Sequence, residues 1–113
     1  MSHPSKAKGS RWEAQVRDYF RAFFGWAERI PAGATLDRGD VTLAGVPVCI
    51  EAKNAQRMEL AQWVDEAVVE ARHAGARWPV VIAHRKGRGQ VADGYAIMRV
   101  ADFADLLAEA VRP

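Results

Sequence analysis

The sequence predicts a mixed α/β fold in the order helix, three strands, helix, strand, strand, helix. Apolar residues recur at helical spacing over Trp12, Val16, Tyr19, Phe20 and Phe23. Two short β-branched runs flank a glycine turn between Val41 and Lys53. Pro79-Val80-Val81-Ile82-Ala83 is a continuous apolar run of strand length with three β-branched residues, the signature of a buried strand. Alternating elements of this kind put a central mixed sheet between helices.

Each element follows in order. The first helix is amphipathic, with Arg11, Gln15, Arg17, Asp18 and Arg21 on its polar faces, and Gly25 ends it. Ser10-Arg11-Trp12-Glu13 has the form of a capping box, in which the serine hydroxyl and the glutamate carboxylate each accept the other residue's amide, so the helix is expected to start there. Residues 1–8 are then a basic disordered arm and residues 9–113 a single domain. Ala27 to Ile30 is a short strand before Pro31. Val41–Leu43 and Val46–Lys53 form a hairpin through Ala44-Gly45-Val46-Pro47, with Gly45 supplying the turn. From about Met58 to Ala74, the stripe Leu60, Trp63, Val64, Ala67, Val68 and Ala71 predicts a second helix stopped by Gly75. Tyr95 to Val100 reads as the last strand and Ala101 to Val111 as a closing helix.

The hairpin carries the chemistry. Side chains alternate along a strand, so Glu51 and Lys53 project to the same face, about 7 Å apart at the usual rise. Folding the strand that begins after Asp40 back beside Glu51 brings two carboxylates and an ammonium to one sheet edge. A hard divalent cation such as Mg²⁺ takes oxygen ligands and is typically held by one or two carboxylates plus substrate phosphate, the role that Asp40 and Glu51 fit. The cation neutralises phosphate charge and lowers the pKa of a bound water, while Lys53 stabilises the developing negative charge. The competing reading, a same-face ion pair where a strand meets solvent, explains Glu51 and Lys53 but leaves Asp40 unexplained.

Gly39-Asp40, followed by Glu51-Ala52-Lys53, resembles the PD-(D/E)xK motif of restriction-endonuclease-like nucleases, with glycine in place of the motif's proline. The stretch Lys8-Gly9-Ser10-Arg11-Trp12-Glu13 is similar to the Lys-Gly-Ser-x-x-Glu opening of archaeal-type and phage Holliday-junction resolvases. The resemblance covers about Lys6 to Phe103 in order of elements. It implies a restriction-endonuclease-like core and a structure-selective DNA endonuclease active on branched DNA such as a four-way junction. It also implies a homodimer, and Mg²⁺ as cofactor with Mn²⁺ able to substitute. Glu13 then joins Asp40 and Glu51 at the metal, a role that competes with its reading as a helix cap. A polar residue on the helix after the Glu-x-Lys strand supports the site in several such nucleases, which makes Gln62 a candidate.

Length and charge fit this reading. The chain has 113 residues, 50% of them hydrophobic, enough for one core without disulfides. Net charge is only +2, but cations cluster at Lys6, Lys8 and Arg11 and at Arg85, Lys86 and Arg88, an arrangement suited to a polyanion. The single Cys49 suits a reducing compartment, and no apolar run reaches bilayer length, so a soluble, cytoplasmic protein without membrane contact is expected. His3, His73 and His84 lack zinc-site spacing, and there is no phosphate-binding Gly-x-x-x-x-Gly-Lys-Ser/Thr loop, so neither structural zinc nor a nucleotide cofactor is expected. Three alternatives stay open: a flap, nicking or restriction-type nuclease on the same core, a non-catalytic nucleic-acid-binding module, and a small α/β interaction protein.

Overall fold

β4, Trp78–Ala83, is buried at all six positions and forms the centre around which the sheet is built. A strand covered on both faces reads as an unbroken apolar run, which is why this segment was recognisable without any alternation. The computed structural model describes residues 4–24, 27–29, 41–43 and 45–113. In chain order these form α1 (Pro4–Phe24), β1 (Ala27–Arg29), β2 (Val41–Leu43), β3 (Val46–Lys53), α2 (Leu60–Ala74), β4, a short 3₁₀ turn (Val91–Asp93), β5 (Tyr95–Ile97) and α3 (Val100–Ala110). The five strands lie in the order β1-β2-β3-β4-β5. β3 and β4 are parallel, joined through α2, and the other neighbours are antiparallel. Among the described residues no helix is long and apolar enough to cross a membrane.

Alternation along the central strands sorts two cores. Ile50 and Ala52 of β3, with Val80 and Ile82 of β4, pack with Val41, Leu43, Trp12 and Val16 beneath α1. Val81 and Ala83 point the other way and pack with Trp63 and Ala67 of α2. Cys49, the chain's single cysteine, is fully buried in β3. Trp12 ties α1 to the sheet, its indole N–H donating to the Ile82 carbonyl at 3.1 Å.

Several boundaries differ from the sequence expectation. α1 begins at Pro4, so Ser10 lies inside the helix and the capping box does not form; residues 4–8 are helical and not an arm. Proline is well suited to the first helical turn, and lysine and alanine at positions 6–8 favour the helix, so nothing stops it before Ser10. The α1 stripe reaches the core through Trp12, Val16 and the partly buried Phe20. Trp12 and Val16 are fully buried, whereas Phe23 is 66% exposed and packs against Tyr19 and Phe24. α2 starts at Leu60 and not Met58, and β4 starts one residue early, at Trp78. β5 ends at Ile97, and Val100 opens α3, where Arg99 turns its guanidinium onto Asp102 at 2.7 Å. The expected extension of β1 to Ile30 falls outside the described residues, as does Trp26.

The ends of α2 and α3 are fixed by specific bonds. Gly75 follows α2 in the left-handed conformation at φ 67°. The Ala76 N–H donates to the Ala71 carbonyl at 2.8 Å and the Gly75 N–H to the Arg72 carbonyl at 3.2 Å, the pairing that satisfies the last carbonyls of a helix. α3 has no buried residue and is held by polar contacts to the start of β4. Arg77 grips Asp105 at 2.6 Å and Glu109 at 3.1 Å, and the Trp78 indole donates to Asp105 at 2.8 Å. The Arg77 and Trp78 hydrogen bonds hold the Asp105 carboxyl below the usual aspartate range.

Gly94 is a close-approach glycine. A Cβ at this position would lie 2.7 Å from the Ala83 carbonyl oxygen and 3.2 Å from that of Val91, both backbone atoms. Gly94→Ala is therefore expected to destabilise the protein by about 1–3 kcal/mol, as overpacking against immovable neighbours does. Urea unfolding is the check, and an unchanged midpoint would contradict the packing described.

Candidate active site

β3 delivers Glu51 and Lys53 to the α2 side of the sheet. Their register partners on β4, Val81 and Ala83, belong to the core beneath α2. The same-face projection read from the sequence is present: the Lys53 Nζ lies 3.2 Å from Glu51 Oε1. A third group joins them from α2, because Lys53 Nζ also donates to Glu66 Oε2 at 3.0 Å. The Gln62 amide, one turn earlier, donates to the other Glu66 oxygen at 2.9 Å. The result is a continuous line of polar contacts, Gln62 to Glu66 to Lys53 to Glu51.

The electrostatics of this line are uneven. The Glu51 side chain is only 8% exposed, and its Oε2 is buried with no hydrogen-bond partner among the described residues. An unsatisfied buried acceptor costs about 1–3 kcal/mol, more when charged. Burial alone would pull the Lys53 pKa down, but the Glu66 hydrogen bond and the charge and hydrogen bond of Glu51 outweigh it, and the pKa is raised. Lys53 is therefore a lasting positive charge at neutral pH and not a proton acceptor.

The hairpin register pairs Val41 with Ile50, one residue short of Glu51. Asp40 itself lies outside the described residues, as does the Lys6 side chain. Glu13 is half-buried on α1 beside Trp12, whose indole reaches the Ile82 carbonyl at the end of β4. With Ser10 inside the helix, Glu13 is not a cap. Among the described residues no group of three or more His, Cys, Asp or Glu side chains converges as a metal site. The Glu51 carboxylate is an oxygen donor of the kind that divalent cations take.

The rim beyond Lys53 is cationic. The His84 N–H donates to the Lys53 carbonyl at 2.9 Å, so the chain leaving β4 starts beside the chain leaving β3. Arg85, Lys86 and Arg88 follow and are exposed; Arg11 is also exposed, and Lys8 is half-buried. The His84 ring meets Trp12 edge-on at a centroid distance of 4.9 Å. Two residues here escaped the sequence reading. His84 had been weighed only as a zinc ligand. Glu66 shares a helix edge with Gln62, and its four-residue spacing from Gln62 was the available signal.

A family model described as "Phage putative PDDEXK endonuclease" matches residues 4–110, nearly the whole chain. No curated protein and no solved structure matches it. The mixed sheet flanked by helices, with Glu-x-Lys on its third strand, is that of a restriction-endonuclease-like fold. The match from end to end, together with this architecture, places the chain in the PD-(D/E)xK nuclease family of phage endonucleases.

Proposed function

We propose that the protein is a metal-dependent, structure-selective DNA endonuclease that hydrolyses phosphodiester bonds near the branch of a four-way junction. The observation that carries the catalytic part is the buried Glu51 oxygen that has no hydrogen-bond partner among the described residues, with the Lys53 ammonium 3.2 Å from the other oxygen. Glu51 would hold the cation with Asp40 and Glu13, Mg²⁺ being the expected ion and Mn²⁺ a substitute. When bound, the ion supplies charge neutralisation at the phosphate and a water of lowered pKa. Lys53, held by two carboxylates, presents its ammonium where negative charge grows on the phosphate oxygens as water attacks and the ester bond breaks. Arg85, Lys86 and Arg88, together with Lys6, Lys8 and Arg11, would give phosphate contacts that position the strand without reading bases.

Support for a branched substrate comes from the Lys8-Gly9-Ser10-x-x-Glu13 opening and its similarity to junction resolvases. A junction offers two symmetry-related strands, which a two-fold homodimer with paired sites would cut. The test is cleavage of a labelled four-way junction and a matched linear duplex, with Mg²⁺ or EDTA, using Glu51→Ala as control. Cutting confined to the junction, lost with EDTA and lost in the variant, is the expected result. Equal cutting of the duplex would assign a general nuclease, and salt-sensitive binding with no product would assign a non-catalytic module.

A further inference from the structure

Lys53 is shared by two carboxylates that differ in what else they do. Glu51 is almost wholly buried, and one of its oxygens has no hydrogen-bond partner among the described residues. The Glu66 side chain is 38% exposed and has both oxygens engaged, Oε2 by Lys53 at 3.0 Å and Oε1 by Gln62 at 2.9 Å. The Lys53 side chain itself is 24% exposed, so the ammonium sits in a pocket of carboxylates and not in open solvent. An isolated surface pair would do little. Here the pair is braced from behind, and its lysine is two residues from the proposed metal ligand.

The difference matters once Glu51 gives its charge to a divalent cation. With a cation there, the ammonium would lose most of its attraction to Glu51. Without a second anchor, a flexible lysine would swing toward solvent. We infer that Glu66 is the positioning residue that keeps Lys53 at the reacting phosphate, and that Gln62 acts one step further back by fixing the Glu66 carboxylate. This rests on the nuclease reading of Glu51 and Lys53. It also gives Gln62 a physical role, since its contact in the structure is with Glu66 and not with Lys53.

The experiment compares wild type with Glu66→Gln, Glu66→Asp and Gln62→Ala by two readouts. The first, in protein with Ca²⁺ added and without DNA, is the rate at which acetic anhydride modifies Lys53, followed by peptide mass spectrometry. The second is single-turnover cleavage with Mg²⁺, alongside the Kd for DNA measured with Ca²⁺. Glu66→Gln is expected to expose Lys53 to faster acylation and to lower the single-turnover rate by about 10–100-fold, as loss of an orienting partner does, with the Kd unchanged. Glu66→Asp should recover part of the rate, and Gln62→Ala should move both readouts the same way by less. Unchanged Lys53 reactivity in Glu66→Gln overturns the inference, as does a rate loss explained wholly by weaker DNA binding. The acylation arm decides this whether or not DNA is cut, whereas failure of the wild type to cut any DNA overturns the nuclease reading itself.

Discussion

Glu51→Gln is expected to lower metal-dependent cleavage by at least about 10²–10³-fold, the scale for removing one principal electrostatic contributor to a transition state. The protein should still fold. Lys53 keeps Glu66 at 3.0 Å, so the substitution leaves no unpaired ammonium, and the amide relieves the burial of a carboxylate oxygen that has no hydrogen-bond partner among the described residues. Metal-free stability within about 1 kcal/mol of wild type is the consequence, in contrast to the 3–5 kcal/mol typical of breaking a buried pair whose other member is stranded. A second readout separates ligand loss from general damage. Mn²⁺ should raise the Tm of the wild type in a concentration-dependent way, because an ion that binds only the folded state stabilises it. That rise should vanish in Glu51→Gln. A variant that retained both the metal-induced Tm rise and normal cleavage would remove Glu51 from the site.

Trp12→Ala should have the largest effect on stability. Trp12 is 0% exposed, the largest fully buried side chain described, and sits where α1 meets β4. Truncating a buried tryptophan costs about 3–5 kcal/mol, a large share of the 5–15 kcal/mol that holds a domain together. Part of that cost is polar, since the indole N–H donates to the Ile82 carbonyl. Trp12→Phe keeps most of the apolar volume and removes only the donor, so it isolates the hydrogen bond at about 1–3 kcal/mol. Urea unfolding of both variants checks the pair. Equal losses in the two would mean that ring volume contributes little, contrary to the packing of α1 on the sheet.

The parts of the fold that could be read from the sequence were those in which one short-range rule decides the outcome. Glu51 and Lys53 meet because strand alternation leaves them no other face. Gly75 stops α2 because a left-handed residue completes the carbonyl pairing there. Where two local rules competed, the reading went astray. Ser10 to Glu13 satisfied a capping pattern, but Pro4 and the helix-favouring residues after it carried α1 straight through. Val100 is β-branched and adjoined an apolar strand, yet it opened α3, with Arg99 turned onto Asp102 just before it. Local spacing puts Glu66 on the right helix edge but does not single it out. Glu59, Gln62 and Glu66 line one helix edge, and only the docking of α2 on β3 determines which of them reaches Lys53.

The running direction of β4 has a consequence for how this molecule can change. Because β4 is parallel to β3, the connections leaving both strands, 54–59 and 84–90, emerge on the rim where Lys53 ends. The Gly45 turn, by contrast, precedes β3 and lies at its opposite end. An inserted or exchanged residue in either outgoing connection alters the surroundings of Lys53 while every strand keeps its partner. An insertion at Gly45 would shift the β2–β3 register and turn Val41 and Leu43 out of the core. The fold thus separates a rim open to variation from a rim that must stay fixed, and a relative with new substrate preferences could differ chiefly in its outgoing connections.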